Sequence, residues 1–397
     1  MKPLQLLASA AILACTAVAW LVLGAAVTQR ADTFSRSTSS DVGDVWGPPL
    51  TQTHPSAFFL TPNGRNGRTT ILPTASTIET RLSSEPKKRG LLWHKTYQLH
   101  FSGTYQFTNP TRIPQTLYVR FILPEASRGL HEFTFDLGGE NSDKSAPAAR
   151  DGIITRAIPV PAGGTVPLTV SYLARGTDSW NYQFPDSRRI TDFKLTMSTD
   201  FPDINFPTGT GSPTRRNQSD TGWNLAWDYP DVLNAHSIGM DMPEKLNAGP
   251  VAARMAFFAP VSLLFFVTVI LLIGGMRGIS LHPVHVFFIS AGFFAFQLLF
   301  AYLVDLLPIV TSFTISALVS LALVSGYLRA VGGNALFKIA LPAQLAYMVL
   351  FSASFFFHGL TGITITCGAI ATLAILMTLT AKVDWKTVFT SQKSATA

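Results

Sequence analysis

The chain has 397 residues, of which 47% are hydrophobic and only 13% are charged, and its formal net charge is +7. Soluble globular domains carry roughly 25% charged residues, so this composition argues against a wholly soluble protein. The two cysteines, Cys15 and Cys367, both lie in apolar runs, which excludes disulfides and Cys-x-x-Cys zinc sites from the polar part of the chain. The basic run at 87–89 is too short for a nucleic-acid footprint, so no nucleic-acid partner is expected.

The first apolar run, residues 4–27, follows Lys2 and is long enough to span a bilayer, which needs roughly 20 apolar residues. The apolar region of a secretory signal is shorter, at roughly 7–15 residues. Ile12-Leu13-Ala14-Cys15 resembles a lipoprotein processing site, but the apolar run continues well past Cys15. The sequence therefore favours an uncleaved anchor over residues 1–27, with a cleaved signal as the alternative.

Residues 28–254 form a polar region that is rich in Pro, Gly, Ser and Thr. Several short segments within it alternate apolar and polar residues with the period of two that is typical of strands. Asn63-Gly64 and Asn66-Gly67 are turn dipeptides, and at least one of them is expected to close a hairpin. We therefore expect an antiparallel β-rich domain, such as a sandwich. The strand-like segments are 97–107, 117–123, 165–173 and 192–197.

Residues that could form an active site are scattered through this polar region. Gly209-Thr210-Gly211-Ser212 lacks the Gly-x-Ser-x-Gly pattern of a nucleophilic serine. The histidines have no metal-binding spacing, and His100, within a strand-like segment, is expected to be exposed or hydrogen-bonded. The sequence predicts no catalytic residue, metal ligand or cofactor, and a membrane-bound hydrolase is the least favoured function. The histidines of this region are His54, His94, His100, His131 and His236.

Five more apolar runs follow the polar region, and each is long enough to cross a bilayer as a helix. The predicted fold class is therefore membrane α-helical plus β, with an N-terminal transmembrane anchor, an extracytoplasmic antiparallel β-rich domain and a C-terminal five-helix transmembrane bundle over 255–381. A cytoplasmic tail, 382–397, is expected after the bundle. The five runs cover about 255–276, 284–304, 308–328, 337–357 and 360–380.

The positive charges near the apolar runs predict the orientation of the chain. If the amino terminus lies in the cytoplasm and the chain alternates, every Lys and Arg of the short connections falls on the cytoplasmic side. The short outer connections around Asp305 and His358 contain no Lys or Arg. Both termini are therefore expected in the cytoplasm and residues 28–254 in the periplasm. The cytoplasmic cations are Lys2, Arg277, Arg329, Lys338, Lys382, Lys386 and Lys393.

His282 and His285 stand three residues apart around Pro283, so on a helix they would share a face that could hold a metal or pass a proton. No ionisable residue occupies the middle of a predicted span, where Gln297 and Gln344 are the only strongly polar side chains. Pumps and ion-coupled transporters place such residues within their spans. Since proline also suits the first turn of a helix, the pair is interpreted as an interfacial helix start, with a metal or proton site as the alternative.

Three segments together resemble the CreD family of bacterial inner-membrane proteins. The first runs from Leu72-Pro73 to Lys87-Lys88-Arg89-Gly90, and the second covers 192–228 with its Pro-rich loop and Gly-aromatic-x-x-x-Trp element. The third combines Leu281-His282-Pro283 with Asp384-Trp385 after the last span. The order of one span, an outside domain and a cluster of spans is also similar, although the outside domain is shorter than is typical of the family.

The resemblance implies a multi-pass protein of the bacterial inner membrane that contributes to cell-envelope integrity or the envelope-stress response without catalysing a reaction. It transfers no catalytic or ligand-binding residue, and it gives Leu281, His282, Pro283, Asp384 and Trp385 a structural role only. The expected partners are the lipid bilayer and an unidentified envelope component or membrane protein, bound or sensed by the periplasmic domain. A transporter or channel for lipid or a small solute is the alternative.

Overall fold

The computed structural model describes residues 3–65, 67–89, 92–124, 129–138, 149–185, 188–277, 279, 281–357, 359 and 361–381. The chain forms two compact units, a β unit over Arg36–Lys245 and a helical unit over Met1–Ser35 with Leu246–Ala397. The β unit is shorter than the expected 28–254 because helices extend beyond the apolar runs at both ends. The first helix, α1, runs over Pro3–Trp46 and stops where Gly47, with φ +88°, precedes Pro48 and Pro49.

The β unit contains sixteen strands among its described residues, and the four predicted strand segments are confirmed. Asn63-Gly64 lies inside β2 rather than in a turn, whereas Gly67, with φ +70°, does lie in the turn to β3, and Asn66 lies outside the described residues. The strands are β1 Leu50–Thr53, β2 Ser56–Arg65, β3 Arg68–Ile71, β4 Ala75–Ser84, β5 Lys87–Arg89, β6 Leu92–His94, β7 Thr96–Thr108, β8 Gln115–Ile122, β9 His131–Leu137, β10 Ile153–Val160, β11 Thr165–Thr177, β12 Ser179–Gln183, β13 Arg189–Thr199, β14 Arg215–Gln218, β15 Trp223–Leu233 and β16 Ile238–Asp241.

A seven-stranded sheet, in the order β14-β15-β13-β4-β7-β11-β9, dominates the β unit. A four-stranded sheet, β10-β8-β2-β3, shares one hydrophobic core with it, as the edge-to-face contact of Phe121 with Phe135 illustrates. Smaller sheets, β1-β12-β16 and β5-β6, complete the unit. One face of the long sheet is therefore buried, and the other is open to solvent.

The expectation of a purely antiparallel domain is wrong for two strand pairs. β13 pairs with β4 in parallel, from Phe193 opposite Ser76 to Thr199 opposite Leu82, and β1 pairs with β12 in parallel. Parallel neighbours need a crossover connection of roughly a dozen residues or more. More than a hundred residues separate β4 from β13, so the chain is long enough for this connection. Alternation along a strand reports which face is buried, and it carries no information on the direction of the neighbouring strand.

The helical unit contains, within its described part, five helices that are long and apolar enough to cross a membrane. After α1 come α2 Ala248–Met276, α3 Pro283–Leu306 and α4 Ile309–Gln344, and α4 continues through a π-helix, Leu345–Leu350, into α5 Phe351–Ala353 and a 3₁₀ turn, Ser354–Phe356. The last helix, α6, covers Thr361–Thr380. The candidate spans are Leu4–Thr33, Ala248–Met276, Pro283–Leu306, Ile309–Phe356 and Thr361–Thr378.

The long stretch from Ile309 to Phe356 folds back on itself, so it contains both of the spans expected at 308–328 and 337–357. Gly332 and Gly333 leave the helical conformation, and Gly333 has φ 62° and ψ −161°. Beyond the bend, Gln344 Nε2 donates to the carbonyl of Ser320 at 3.0 Å. A straight helix would separate these two residues by roughly 36 Å. The loop expected over 329–336 is therefore much shorter, a bend at two glycines.

Contacts inside the helical unit identify its two ends. At one end Arg277, after α2, donates to the carbonyl of Ala335, just after the glycine bend, at 3.1 Å. At the other end Arg30 of α1 pairs with Asp305 of α3 at 2.7 Å. The chain segments that lead into and out of the β unit leave from this second end, because Ala31 packs against Gly249 at the start of α2.

Candidate binding surface on the seven-stranded sheet

The exposed face of the seven-stranded sheet carries rows of side chains that lie opposite one another on neighbouring strands. Strands in a sheet are roughly 4.8 Å apart, so a row of five residues extends over roughly 19 Å. One row contains two histidines and an arginine, and we call it the basic row. From β13 to β9 it consists of Ser198, Arg81, His100, Leu173 and His131.

Two adjoining grooves follow the basic row across the sheet. The larger has a volume of about 390 Å³, and the smaller, at about 160 Å³, shares Gln98, Leu99 and Leu173 with it. Among the described residues, their polar lining contains two arginines, two histidines and a single carboxylate. The side chains that the grooves present include Glu79, Arg81, His100 and Ser198 in the larger, and His131 and Arg175 in the smaller.

His131 reaches the groove through a β-bulge at the edge of the sheet. Thr134 lies opposite Ser171, but the next paired residue of β9 is His131, opposite Leu173, so one extra residue is inserted in β9. Glu132, inside the bulge, has a left-handed φ of 51°, which is uncommon for a residue other than glycine. Without the bulge, the residue opposite Leu173 would be Glu132. Bulges of this kind re-aim side chains and are over-represented beside functional sites.

Arg175 is held at the rim of the smaller groove by an aromatic ring. Its guanidinium carbon lies 5.1 Å from the centre of the Trp46 ring, and Lys87 Nζ lies 5.0 Å from the same ring. Gln98, between the two grooves, donates to Glu85 Oε1 at 3.0 Å. These contacts hold Arg175 and Gln98 in defined positions, and both side chains line the grooves.

A separate polar network lies inside the core of the β unit. His54 Nδ1 and the hydroxyl of Tyr182 are 2.7 Å apart, and Tyr182 in turn contacts the hydroxyl of Tyr105 at 3.1 Å. Burial among aromatic rings lowers the pKa of His54 to about 3, because the charged imidazolium is costly away from water. All three side chains are buried, and Tyr105 and Tyr182 belong to the hydrophobic core, so we regard the network as part of the core.

The two histidines at the start of α3 have separate structural partners. His282 accepts a hydrogen bond from the Val284 amide at 3.3 Å and caps α3, with Pro283 in its first turn. His285 Nδ1 lies 2.8 Å from the hydroxyl of Tyr327 on α4. Within the described residues, no three His, Cys, Asp or Glu side chains are grouped so as to hold a metal. The geometry fits the interpretation of a helix start.

Of the five residues that carry the family resemblance, three lie in the described part of the chain. Leu281 is buried, His282 is the exposed cap of α3, and Pro283 is buried at its first position. Asp384 and Trp385 lie outside the described residues, as does His358. All three are far in sequence from the residues of the basic row. The sequence patterns do not predict that row, because a β-bulge and the pairing of distant strands leave no signal in the local sequence. Only the exposure of His100 could be predicted.

A buried polar cluster joins the two arms of the folded helix. Gln344 accepts from Ser325 at 2.9 Å, and Ser320 donates to the carbonyl of Gly292 on α3 at 2.7 Å. Gln297, also buried, contacts Ser352 weakly at 3.5 Å, and its Oε1 atom has no hydrogen-bond partner in the structure. The cluster adjoins the π-helix Leu345–Leu350, a type of element often found at functional sites.

Comparison with known proteins provides no family for this chain. No family model and no curated protein matches the sequence. One solved structure that is similar comes from Legionella pneumophila and is provisionally described as a nutrient binding protein. It shares 11% identity and a TM-score of 0.34, over 55% of this chain and 76% of that chain. A likeness this low supports no conclusion on fold or function.

Proposed function

We propose that the chain is a multi-pass protein of the bacterial inner membrane whose β unit lies in the periplasm and binds a component of the envelope. In this proposal the protein contributes to envelope integrity or to the response to envelope stress, as the CreD resemblance implies, and it catalyses no reaction. The helical unit anchors the β unit and holds both termini in the cytoplasm.

The distribution of charge in the helical unit is the observation that carries the proposed orientation. Arg277, Arg329 and Lys338 all lie near the end that contains the glycine bend, where Arg277 contacts the carbonyl of Ala335. The opposite end, marked by the pair of Arg30 and Asp305, is the one from which the chain leads into the β unit. Cations gather on the cytoplasmic side of short connections, so this polarity supports a β unit outside the cytoplasm.

The packing of α1 supports its retention as an anchor. Trp20, in the middle of α1, is fully buried, and its ring lies 6.0 Å from that of Phe294 on α3. Val27 is buried as well, one turn before the ion pair of Arg30. A cleaved signal would leave the surfaces around Phe294 and Asp305 uncovered, so this packing favours the uncleaved form.

The basic row and its grooves support a binding role for the β unit. Active sites need nucleophiles, bases or metals in contact, whereas this surface offers hydrogen-bond donors and charges spread over several strands. An extended face of this kind fits a polymer or a protein better than a small substrate, which would be enclosed in a pocket. The strongest support for a site is the bulge that places His131 in the row.

Complementation of a strain that lacks the protein tests this function. We expect the wild-type chain to restore resistance to detergent and to envelope-acting antibiotics, and the double variant Arg81→Gln/His100→Asn to fail at equal abundance. The matched control is Arg215→Gln/Arg216→Gln, which removes two exposed cations of β14 outside the grooves. Equal rescue by both double variants would refute binding through the basic row.

Transport is the second candidate, and the buried cluster around Gln297 and Gln344 is the observation that favours it. Polar side chains inside a helical bundle can line a path for a solute. Flux of a small solute into vesicles containing the purified chain, lost in Gln297→Leu, would establish transport. Vesicles that remain as tight as protein-free ones would remove this candidate.

A further inference from the structure

We infer that the basic row binds an anionic group, a phosphate or a carboxylate, displayed on an extended ligand. The inference deepens the proposed function, because it names the chemistry of the component that the β unit recognises. The residues of the basic row that would contact the anion are Arg81, His100 and His131, and Arg175 lies at the rim of the smaller groove. Arginine presents a planar fork of donors that matches the oxygens of both anions, and imidazole N–H groups add further donors.

The partners of these side chains inside the chain are few. No described carboxylate forms an ion pair with Arg81, although many other exposed cations of the β unit have one, such as Arg189 with Asp231 and Lys95 with Glu244. Among the residues that the structure describes, Glu79, two residues from Arg81 on the same face, is the only carboxylate that lines the grooves. Arg81 therefore presents an unneutralised charge to a ligand on the sheet.

The arginines of the grooves and two aspartates of the exposed face lie at different levels along the strands. A second row of facing residues passes through Thr77 of β4, two residues from Glu79 on the side away from Arg81, and it carries Asp228 opposite Lys194 at one end and Asp136 opposite Thr169 at the other. Between these two end pairs the row consists of Thr77 and Thr104. Asp228 and Asp136 thus lie outside the grooves together with Lys194, whereas Arg81 and Arg175 line the grooves, which gives the face a polarity that an anionic ligand would follow.

The bulge in β9 strengthens the inference, because it decides whether a carboxylate or an imidazole lies at the edge of the groove. In a regular ladder Glu132 would face Leu173, and its carboxylate would repel an anion. The extra residue brings His131 to that position instead, at the expense of a left-handed Glu132, which costs on the order of 1–2 kcal/mol. A strained conformation that exchanges a carboxylate for an imidazole fits recognition of negative charge.

Binding of defined polymers to the purified full-length chain in a neutral detergent tests the inference. The probes are inorganic polyphosphate, poly-glutamate and dextran, and the measurement is isothermal titration calorimetry at one fixed salt concentration. We expect polyphosphate or poly-glutamate to bind and dextran not to bind. The first two probes distinguish a phosphate source from a carboxylate source. Dextran binding as tight as that of both anionic probes would overturn the inference.

Variants locate the binding on the sheet. We expect Arg81→Gln to weaken anion binding about tenfold, and His131→Glu, which reproduces the charge of the bulge-free register, to abolish it. Glu79→Gln should tighten binding several-fold, whereas Arg215→Gln/Arg216→Gln should leave it unchanged. A loss in this control as large as that in Arg81→Gln would show diffuse attraction to net charge and overturn the inference. Circular dichroism of each variant verifies that the β unit remains folded.

The two proposals can fail separately. The calorimetric measurement uses purified protein and does not depend on which side of the membrane the β unit occupies. Absence of anion binding in a folded chain would therefore refute the ligand class and leave a periplasmic binding role intact. A β unit found in the cytoplasm would refute the proposed function, even if polyphosphate bound to the basic row.

Discussion

Arg30 of α1 and Asp305 of α3 form an ion pair, with 2.7 Å between Nη2 and Oδ2, although some 270 residues separate them in sequence. The same guanidinium donates to the carbonyl of Ala301 at 3.1 Å and lies 5.5 Å from the ring centre of Tyr302. Three contacts from one side chain thus join the first helix to the third. The pair is partly exposed, so its net contribution is modest.

Exchange of the two charges tests this pair. We expect Arg30→Asp or Asp305→Arg alone to lower the melting temperature of the detergent-solubilised chain by a few degrees, since each leaves two like charges in contact. A partly exposed pair contributes on the order of 1 kcal/mol. The double variant Arg30→Asp/Asp305→Arg should recover most of the loss. Additive losses in the double variant would show that the two side chains do not interact.

The glycine bend provides a second prediction. Gly333 has φ 62° and ψ −161°, a region that only glycine occupies readily, so Gly333→Ala should destabilise the helical unit by about 1–3 kcal/mol. Gly326 is the matched control, since neither glycine has a heavy atom within contact distance of an added Cβ. Gly326 lies within a helix, where alanine is preferred, so Gly326→Ala should be neutral or stabilising. Thermal unfolding of both variants provides the comparison.

The two buried glutamines of the helical unit should respond in opposite ways to the same substitution. Gln344 makes hydrogen bonds at both ends of its amide, so Gln344→Leu should cost about 1–2 kcal/mol. Gln297 leaves its Oε1 unpartnered, and replacing an unsatisfied buried acceptor by an apolar side chain is nearly neutral or stabilising. Unfolding in a denaturing detergent distinguishes them. A Gln297→Leu variant that is less stable than Gln344→Leu would contradict the described network.

The burial of His54 should make the stability of the β unit depend on pH. Burial lowers its pKa from 6.5 to about 3, so below pH 6.5 the unfolded chain binds a proton that the folded chain does not. Its contribution is present above pH 6.5 and is lost as the pH falls, by about 2 kcal/mol between pH 6.5 and 5. His54→Asn should flatten the dependence of stability on pH in this range. Hydrogen exchange of the β unit within the full chain measures this dependence. Tyr182→Phe, which removes the hydroxyl that contacts both His54 and Tyr105, should lower stability and retain the slope.

The apolar segments and the strand positions could be predicted because each depends on local periodicity and length. The bounds of α1 could not, because polar residues can continue a helix until glycine and proline stop it, here at Gly47 and Pro48. The parallel pairing of β13 with β4 could not either, since the partner of a strand is chosen by distant residues. The bulge at Glu132 could not be predicted for the same reason, because it depends on how β9 pairs with the distant strand β11. The position of His131 in the basic row therefore could not be predicted either.

Labelling of single cysteines in living cells tests the central claim that the β unit lies outside the cytoplasm. In a chain with Cys15 and Cys367 replaced by serine, Asn217→Cys probes the β unit, and Asn334→Cys probes the cationic end of the helical unit; both positions are exposed. With an outer membrane made permeable, a maleimide that cannot cross the inner membrane should label Asn217→Cys in intact cells. It should label Asn334→Cys only after lysis. Protection of Asn217→Cys, with free labelling of Asn334→Cys, would contradict the account.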